Sequence, residues 1–345
     1  MLANTFINYP VLTILSIGKR SFENLGRLIK KSGDTAKRLL NPASVSILLM
    51  QKIAQKMFQD AEILTLSIDD TLIKKIYSRF MVGSGEFYDT KIGRKITAYK
   101  LIAAMIGDGK NIIPISCGFM FASELLTKLD DVKTKLDFVK EFVRLAQKLF
   151  PNTKIILVAD GLFSTKEILE WCVSENIACE MRMHSNRVIE YQGHKLALSK
   201  IKGFRPRGRH MARTIKGVWH GLNLYFTADR RIDKHGEETV VFLVSTYKAK
   251  PHEHVKYYKK RWPIEKVFRT TKQSLGLQEC FSTQMETQFD HVNAVFLAYA
   301  LLQWEMKTKK FDTPEDVIKA LKLKKYQNIL DRFSWLDQIF GDVNA

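Results

Sequence analysis

Two short apolar runs constrain this chain more than anything else in it. "EILTLSID" closes at Asp69 and "KIILVAD" closes at Asp160. A surface helix would repeat its polar residues at every third or fourth place, and these runs do not: inside them only Thr65 and Ser67 are polar, and they stand two apart. Near-continuous apolar segments of this length, rich in β-branched residues, are strands buried on both faces. Such strands need helices to cover them, and the chain supplies them. Residues 131 to 149 place Leu136, Val139, Phe142, Val143, Ala146 and Leu149 on one helical face. "STKEILEWCVSENI" reads as a capped helix and "ACEMRM" as a following strand. Between the two aspartates, "YKLIAAMI" and "IIPISCGFM" flank "GDGKN", where Asp108-Gly109 is a hairpin signal. The order is strand, hairpin strand, strand, helix, strand, helix, strand. It predicts an α/β fold, a mixed sheet flanked by helices.

Other segments surround this core. Residues 1–60 read as helical. Ser21 caps a helix through Leu25, Leu28 and Ile29, "KSGDT" breaks it at Gly33, and Asp34 or Thr35 caps a short helix ending before Pro42. Val45, Leu48, Leu49, Ile53 and Met57 mark a longer amphipathic helix. The two short helices, with Lys37 and Arg38 on the second, read either as a DNA-reading helix-turn-helix or as a hairpin packed on the next domain. Residues 185–250 hold short β-like runs, "LNLYFTA" and "TVVFLVSTY". Between 185 and 235 there are 12 Lys plus Arg against 3 Asp plus Glu, so the insertion is basic as well as β-rich. The expected division is 1–60 as an N-terminal helical, candidate DNA-binding region, 61–184 with 251–310 as the core, 185–250 as the insertion and 311–345 as a C-terminal helical tail.

Charge narrows the partners. The formal net charge is +19, which points first to nucleic acid and second to an anionic membrane surface. Cys117, Cys172, Cys179 and Cys280 form no Cys-x-x-Cys, so buried free thiols are expected. The longest apolar run, Val292 to Trp304, is short of the roughly 18 residues that suggest a membrane span. Nor does the N-terminus read as a signal peptide. A soluble, intracellular protein is expected.

An aspartate at a strand end has two readings: it begins a turn or caps a helix, or it stands at the carboxyl edge of the sheet, where α/β folds build their sites. Glu265 adds a third acid, inside "YKKRWPIEKVFRTTKQSLGLQ". On a helix, Arg269 and Lys272 lie within roughly 40° of it. A solvated Glu265–Arg269 pair accounts for one contact worth roughly 0.3–0.5 kcal/mol. It leaves the two aspartates and the other cations without a role. Pro263 either opens the helix, leaving Tyr258 and Arg261 in what precedes it, or kinks a longer one.

Tyr258-x2-Arg261-x3-Glu265-x6-Lys272 resembles the signature of a large group of bacterial insertion-sequence transposases of the DDE type. "SIDDT", "LVADGLFS" and "LGLQ" resemble their counterparts there, and the likeness runs from about 60 to 305. The resemblance implies a ribonuclease-H-like core, with a β-rich insertion between the second Asp and the Glu. It implies that Asp69, Asp160 and Glu265 are the catalytic and metal-binding acids, holding two Mg²⁺ or Mn²⁺ ions, with Asp70 competing for the first place. Arg261 and Lys272 would then bind phosphates, Tyr258 would hydrogen-bond to phosphate, and Arg269 lies on the same DNA-facing side. Trp219 is either a base-stacking residue or a core tryptophan. His252 and His254 are expected to face solvent. The partners implied are double-stranded DNA, as terminal inverted repeats and target, and a second copy in a paired-end complex. The implied place is the cytoplasm, at the nucleoid. A catalytically inactive DNA-binding relative and a two-metal nuclease are the other readings.

Overall fold

A computed structural model describes residues 6–76, 78, 81–90, 92–121, 132–208, 211–233 and 235–323. The core sheet is built from β1 (Ile63–Lys74), β3 (Arg94–Gly107), β4 (Ile112–Met120), β5 (Lys154–Ala159) and β6 (Cys179–Met183). Its order is β4-β3-β1-β5-β6. β3 runs antiparallel to β1 and β4, whereas β1, β5 and β6 are parallel. This mixed sheet is a ribonuclease-H-like core. The hairpin at Asp108-Gly109 forms as expected: the Lys110 and Asn111 N–H groups donate to Asp108 Oδ1 at 2.7 Å, and Gly109 takes φ +103°. A strand absent from the sequence reading, β2 (Gly85–Asp89), pairs with the first residues of β3.

Helices α4 (Ala43–Met57), α5 (Lys135–Leu149), α8 (Pro263–Ser274) and α9 (Met285–Lys309) pack against this sheet. Thr134 and Asp137 form a capping box that starts α5. The middle of α9 is buried all round, which explains the apolar run from Val292. Among the described residues no helix is long and apolar enough to cross a membrane.

The basic insertion extends the core sheet. Strands β7 (Val188–Tyr191), β8 (His194–Ala197), β9 (Ala212–Trp219), β10 (Leu222–Ile232) and β11 (Glu238–Ser245) continue it from β6 in the order β11-β10-β9-β7-β8. Helix α7 (Pro251–Lys259) leads back to the core. All four cysteines are buried and free.

The N-terminal helices pack onto the core. Helix α1 (Asn8–Leu15) is buried, and α2 (Phe22–Leu28) and α3 (Gly33–Arg38) close over it through Leu25 and Ala36 against Tyr9 and Leu12. The packed hairpin is thus the arrangement found, with Lys37 and Arg38 exposed on it. Ser21 caps α2 as expected. The cap of α3 is Ser32 in place of Asp34 or Thr35, because its hydroxyl accepts the Thr35 N–H three residues on. Arg20 ties this region to the end of α8 by donating to Ser274 O at 2.6 Å. Of the expected C-terminal tail, α10 (Pro314–Leu323) forms; residues 324–345 lie outside those described.

Candidate active site

Strand register brings the two aspartates together. β1 and β5 pair in parallel up to Ile68 opposite Ala159, so the next residue on each strand is Asp69 and Asp160. β5 stops there, and the Leu162 N–H donates to Asp160 Oδ1 at 2.8 Å. Asp160 therefore begins a turn and also stands at the carboxyl edge. β1 does not end at Asp69, contrary to expectation. The long β3 keeps offering antiparallel partners as far as Lys74 opposite Ala98. Asp69 thus sits mid-strand, just past the end of its parallel neighbour.

Strand alternation separates the two candidates for the first acid. Asp69 turns toward α8, where Arg261 reaches its Oδ2 at 3.2 Å. Asp70 turns to the opposite face and pairs with Lys100 at 3.0 Å. Burial, and after it the charge of Asp160, raise the Asp69 pKa to about 7 against the opposing pull of Arg261.

Pro263 opens α8, so Glu265 stands in its first turn, where the helix dipole favours a carboxylate. Tyr258 belongs to α7 and Arg261 to the connecting turn, its N–H donating to Tyr258 O at 3.0 Å. This turn folds the Arg261 side chain back over the site. Its guanidinium donates to Glu265 Oε1 at 2.5 Å as well as to Asp69, so one cation bridges two of the three acids. The ion pair of Glu265 is with Arg261, four residues before it, and not with Arg269, which is exposed. Two helical turns on, Lys272 donates to Thr71 Oγ1 at 2.6 Å. α8 is therefore laid along β1, with Glu265 near Asp69 and Lys272 near Thr71.

Other expected residues sit deeper. Tyr258 is buried, its ring under the Arg261 guanidinium at 5.8 Å. Trp219 is a core residue, 4% exposed, with Arg187 over its ring, so it presents no open face for a base. His254 does not face solvent. It is fully buried and paired through Nδ1 with Glu180, because the inner face of α7 packs on β6. His252 is exposed as expected.

Two neighbours of the acids escaped the sequence reading. Trp262 follows Arg261 and is 56% exposed. With Arg182, Arg231, Lys259, Arg261 and Glu265 it lines a cavity of about 320 Å³. Lys135, the first residue of α5, donates to Leu162 O at 3.1 Å and lies over the Phe163 ring. Burial lowers its pKa, while Asp70, Asp160 and Asp69 hold it up. A lysine at a helix start carries no signal of such a place. Trp262 lies inside the signature, directly after Arg261, and that place was the signal that could have found it.

Three hard carboxylate oxygen donors suit Mg²⁺ or Mn²⁺ in kind. Among the described residues, no three acidic, His or Cys side chains already converge as an ion-binding group. The Arg261 guanidinium occupies the space between Asp69 and Glu265, so closing the set around an ion requires this bridge to open. Glu265, 38% exposed, has room to turn.

Residues 61–301 match the family model of the transposase DDE domain. The match begins just before β1 and ends within α9, and it includes the insertion. A comparison with curated proteins gave no match.

Proposed function

We propose, since this chain belongs to the transposase DDE domain family, that it is the transposase of an insertion sequence, binding the element's ends and catalysing metal-dependent strand cleavage and strand transfer. The observation that carries the reading is the meeting of Asp69 and Asp160 at the end of β5, with Glu265 brought to them through Arg261. Asp69 rather than Asp70 is the first acid, because Asp69 faces Glu265 and Asp70 faces away. Two Mg²⁺ or Mn²⁺ ions, held by Asp69, Asp160 and Glu265, would supply activation of the attacking oxygen and stabilisation of the leaving 3′-oxygen. A nuclease of two-metal type uses the same acids, so the ends and the joining step are what distinguish a transposase.

The remaining residues hold DNA. A phosphate arriving at Arg261 competes with Asp69 and Glu265 for the guanidinium and so frees the carboxylates. DNA entry and assembly of the acid set are then one event. Lys272 meets phosphate from beside Thr71. Along the insertion, Arg230, Arg231, Lys256 and Lys259 line a groove of about 1080 Å³ between β10 and α7. That groove takes the element end. Two copies, each holding one end, form the paired complex.

The test is a reaction of the full chain with Mg²⁺ and a duplex carrying the inverted repeat that brackets its coding region. End-specific hairpin or 3′-hydroxyl products that join target DNA are expected. Nicking indifferent to the ends would make the protein a nuclease, and binding without cleavage an inactive relative. Lys272→Ala should weaken binding to all sequences alike and flatten the slope of log affinity against log salt by about one. An unchanged slope in a salt titration would remove Lys272 from the phosphate contacts.

A further inference from the structure

β1 outruns β5. From Asp69 to Lys74 it keeps β3 on one edge, while its β5-side edge has lost its strand partner. A groove of about 720 Å³ opens at this step. It starts where Thr71 and Lys272 adjoin the acids, has Leu162 on its rim, and runs out past Lys100 and Lys74 to Tyr88 on β2. It lies on the other side of the acids from the groove between β10 and α7.

Its composition differs from that of the insertion. Both grooves hold ion-paired cations: Lys74 is paired with Asp89 and Lys100 with Asp70 here, and Arg230 with Glu238 and Arg231 with Asp229 there, to which the other groove adds Lys256 and Lys259 and this one Lys272. The exposed surface is aromatic and apolar: Tyr88 is 61% exposed and Leu162 54%. Opposite Tyr88 in the register is Lys95, also exposed. A track with an open aromatic ring and near-balanced charge suits a polynucleotide held by stacking, with only a modest electrostatic contribution. Such a strand is held weakly enough to leave. The insertion, with its large positive excess, suits a strand that is kept.

We propose that this groove, with Tyr88 as its stacking platform, holds the flanking donor strand beyond the scissile phosphate, the piece released on cleavage. The proposal rests on the transposase reading. It adds a division of labour: the insertion grips the element end, and the β1–β2 groove grips the DNA to be discarded. Lys74, Lys100 and Lys272 guide the backbone, and the strand crosses from one groove to the other over Asp69 and Asp160.

The test compares two duplexes, both carrying the inverted repeat: one ends at the cleavage position and the other continues for about ten nucleotides of single-stranded flanking DNA. Affinity is measured by fluorescence anisotropy for the wild type, Tyr88→Ala and Tyr88→Phe. Tyr88→Ala should lose about fivefold to tenfold in affinity for the longer duplex and nothing for the shorter one, and Tyr88→Phe should restore most of the loss. An equal loss on both duplexes, or none on either, overturns the proposal. So does failure of the phenylalanine to rescue while the melting temperature stays at the wild-type value. A wild type that binds neither duplex sinks the transposase reading itself, a result distinct from any of these.

Discussion

Glu265→Gln abolishes strand cleavage and leaves binding of the element end within about twofold. The asymmetry follows from where Glu265 stands. Its carboxylate touches Arg261 at the head of α8 and is only partly buried, so the amide fits the same space and α8 keeps its apolar face of Ile264, Val267 and Phe268. The basic groove between β10 and α7 is untouched, and so is the phosphate contact assigned to Lys272. What disappears is one anionic oxygen donor of the three. The stabilisation supplied by a held ion is several kcal/mol, and each 1.36 kcal/mol is a factor of ten, so a loss of about a thousandfold or more in rate is expected. Single-turnover cleavage and a gel-shift titration on the same preparation measure the two quantities. Cleavage at near wild-type rate would remove Glu265 from the acid set. Parallel loss of cleavage and binding would make it a structural partner of Arg261 instead.

The strands that carry the acids were legible because both runs are largely apolar, broken only by the small Thr65 and Ser67, and burial on two faces demands that pattern. The register that sets Asp69 beside Asp160 was not. It depends on which residues of β1 and β5 pair, a long-range choice that neither run encodes alone. The same holds for the length of β1. "DTLIK" reads locally as leaving the strand, and it stays in the ladder only because β3, some thirty residues later, is long enough to pair with it. Spacing placed Glu265, Arg269 and Lys272 on one helical face, correctly as geometry. It left open whether Pro263 opens the helix or kinks a longer one; Pro263 opens α8, and the turn before it folds Arg261 back onto Glu265. His254 shows the same limit: it stands in a stretch that looks polar and exposed, yet α7 packs on β6. Side chains placed by the periodicity of their own strand or helix were legible. Those that depend on how the insertion docks were not.

Asp69→Asn should make the metal-free protein melt higher than the wild type at about pH 8, while ending cleavage. The Asp69 pKa in the folded protein is raised to about 7 from an ordinary 3.8 by burial and by the charge of Asp160. A raised carboxyl pKa means that the fold prefers the proton. The stability tied to that proton is fully present below about pH 4, falls as pH climbs, and is gone once pH has passed through 7. Above that point the folded protein carries two repelling carboxylates at the end of β5, with Arg261 offsetting only part of the repulsion. The penalty is of the order of 2–4 kcal/mol. Asparagine never ionises and escapes it, so a rise of several degrees is expected at the higher pH, roughly a third of it at about pH 5 and little at about pH 4. Adding Mg²⁺ should reverse the order. An ion bound only to the native wild type stabilises it by mass action, whereas the variant, short of one anionic donor, gains less. Differential scanning fluorimetry across pH, with and without Mg²⁺, reads all four arms. A variant that melts below the wild type at about pH 8 without metal would mean that the Arg261 contact outweighs the repulsion from Asp160. Asp69 would then be a stabilised ion-pair partner, and the protein would have no built-in demand for a cation at this site.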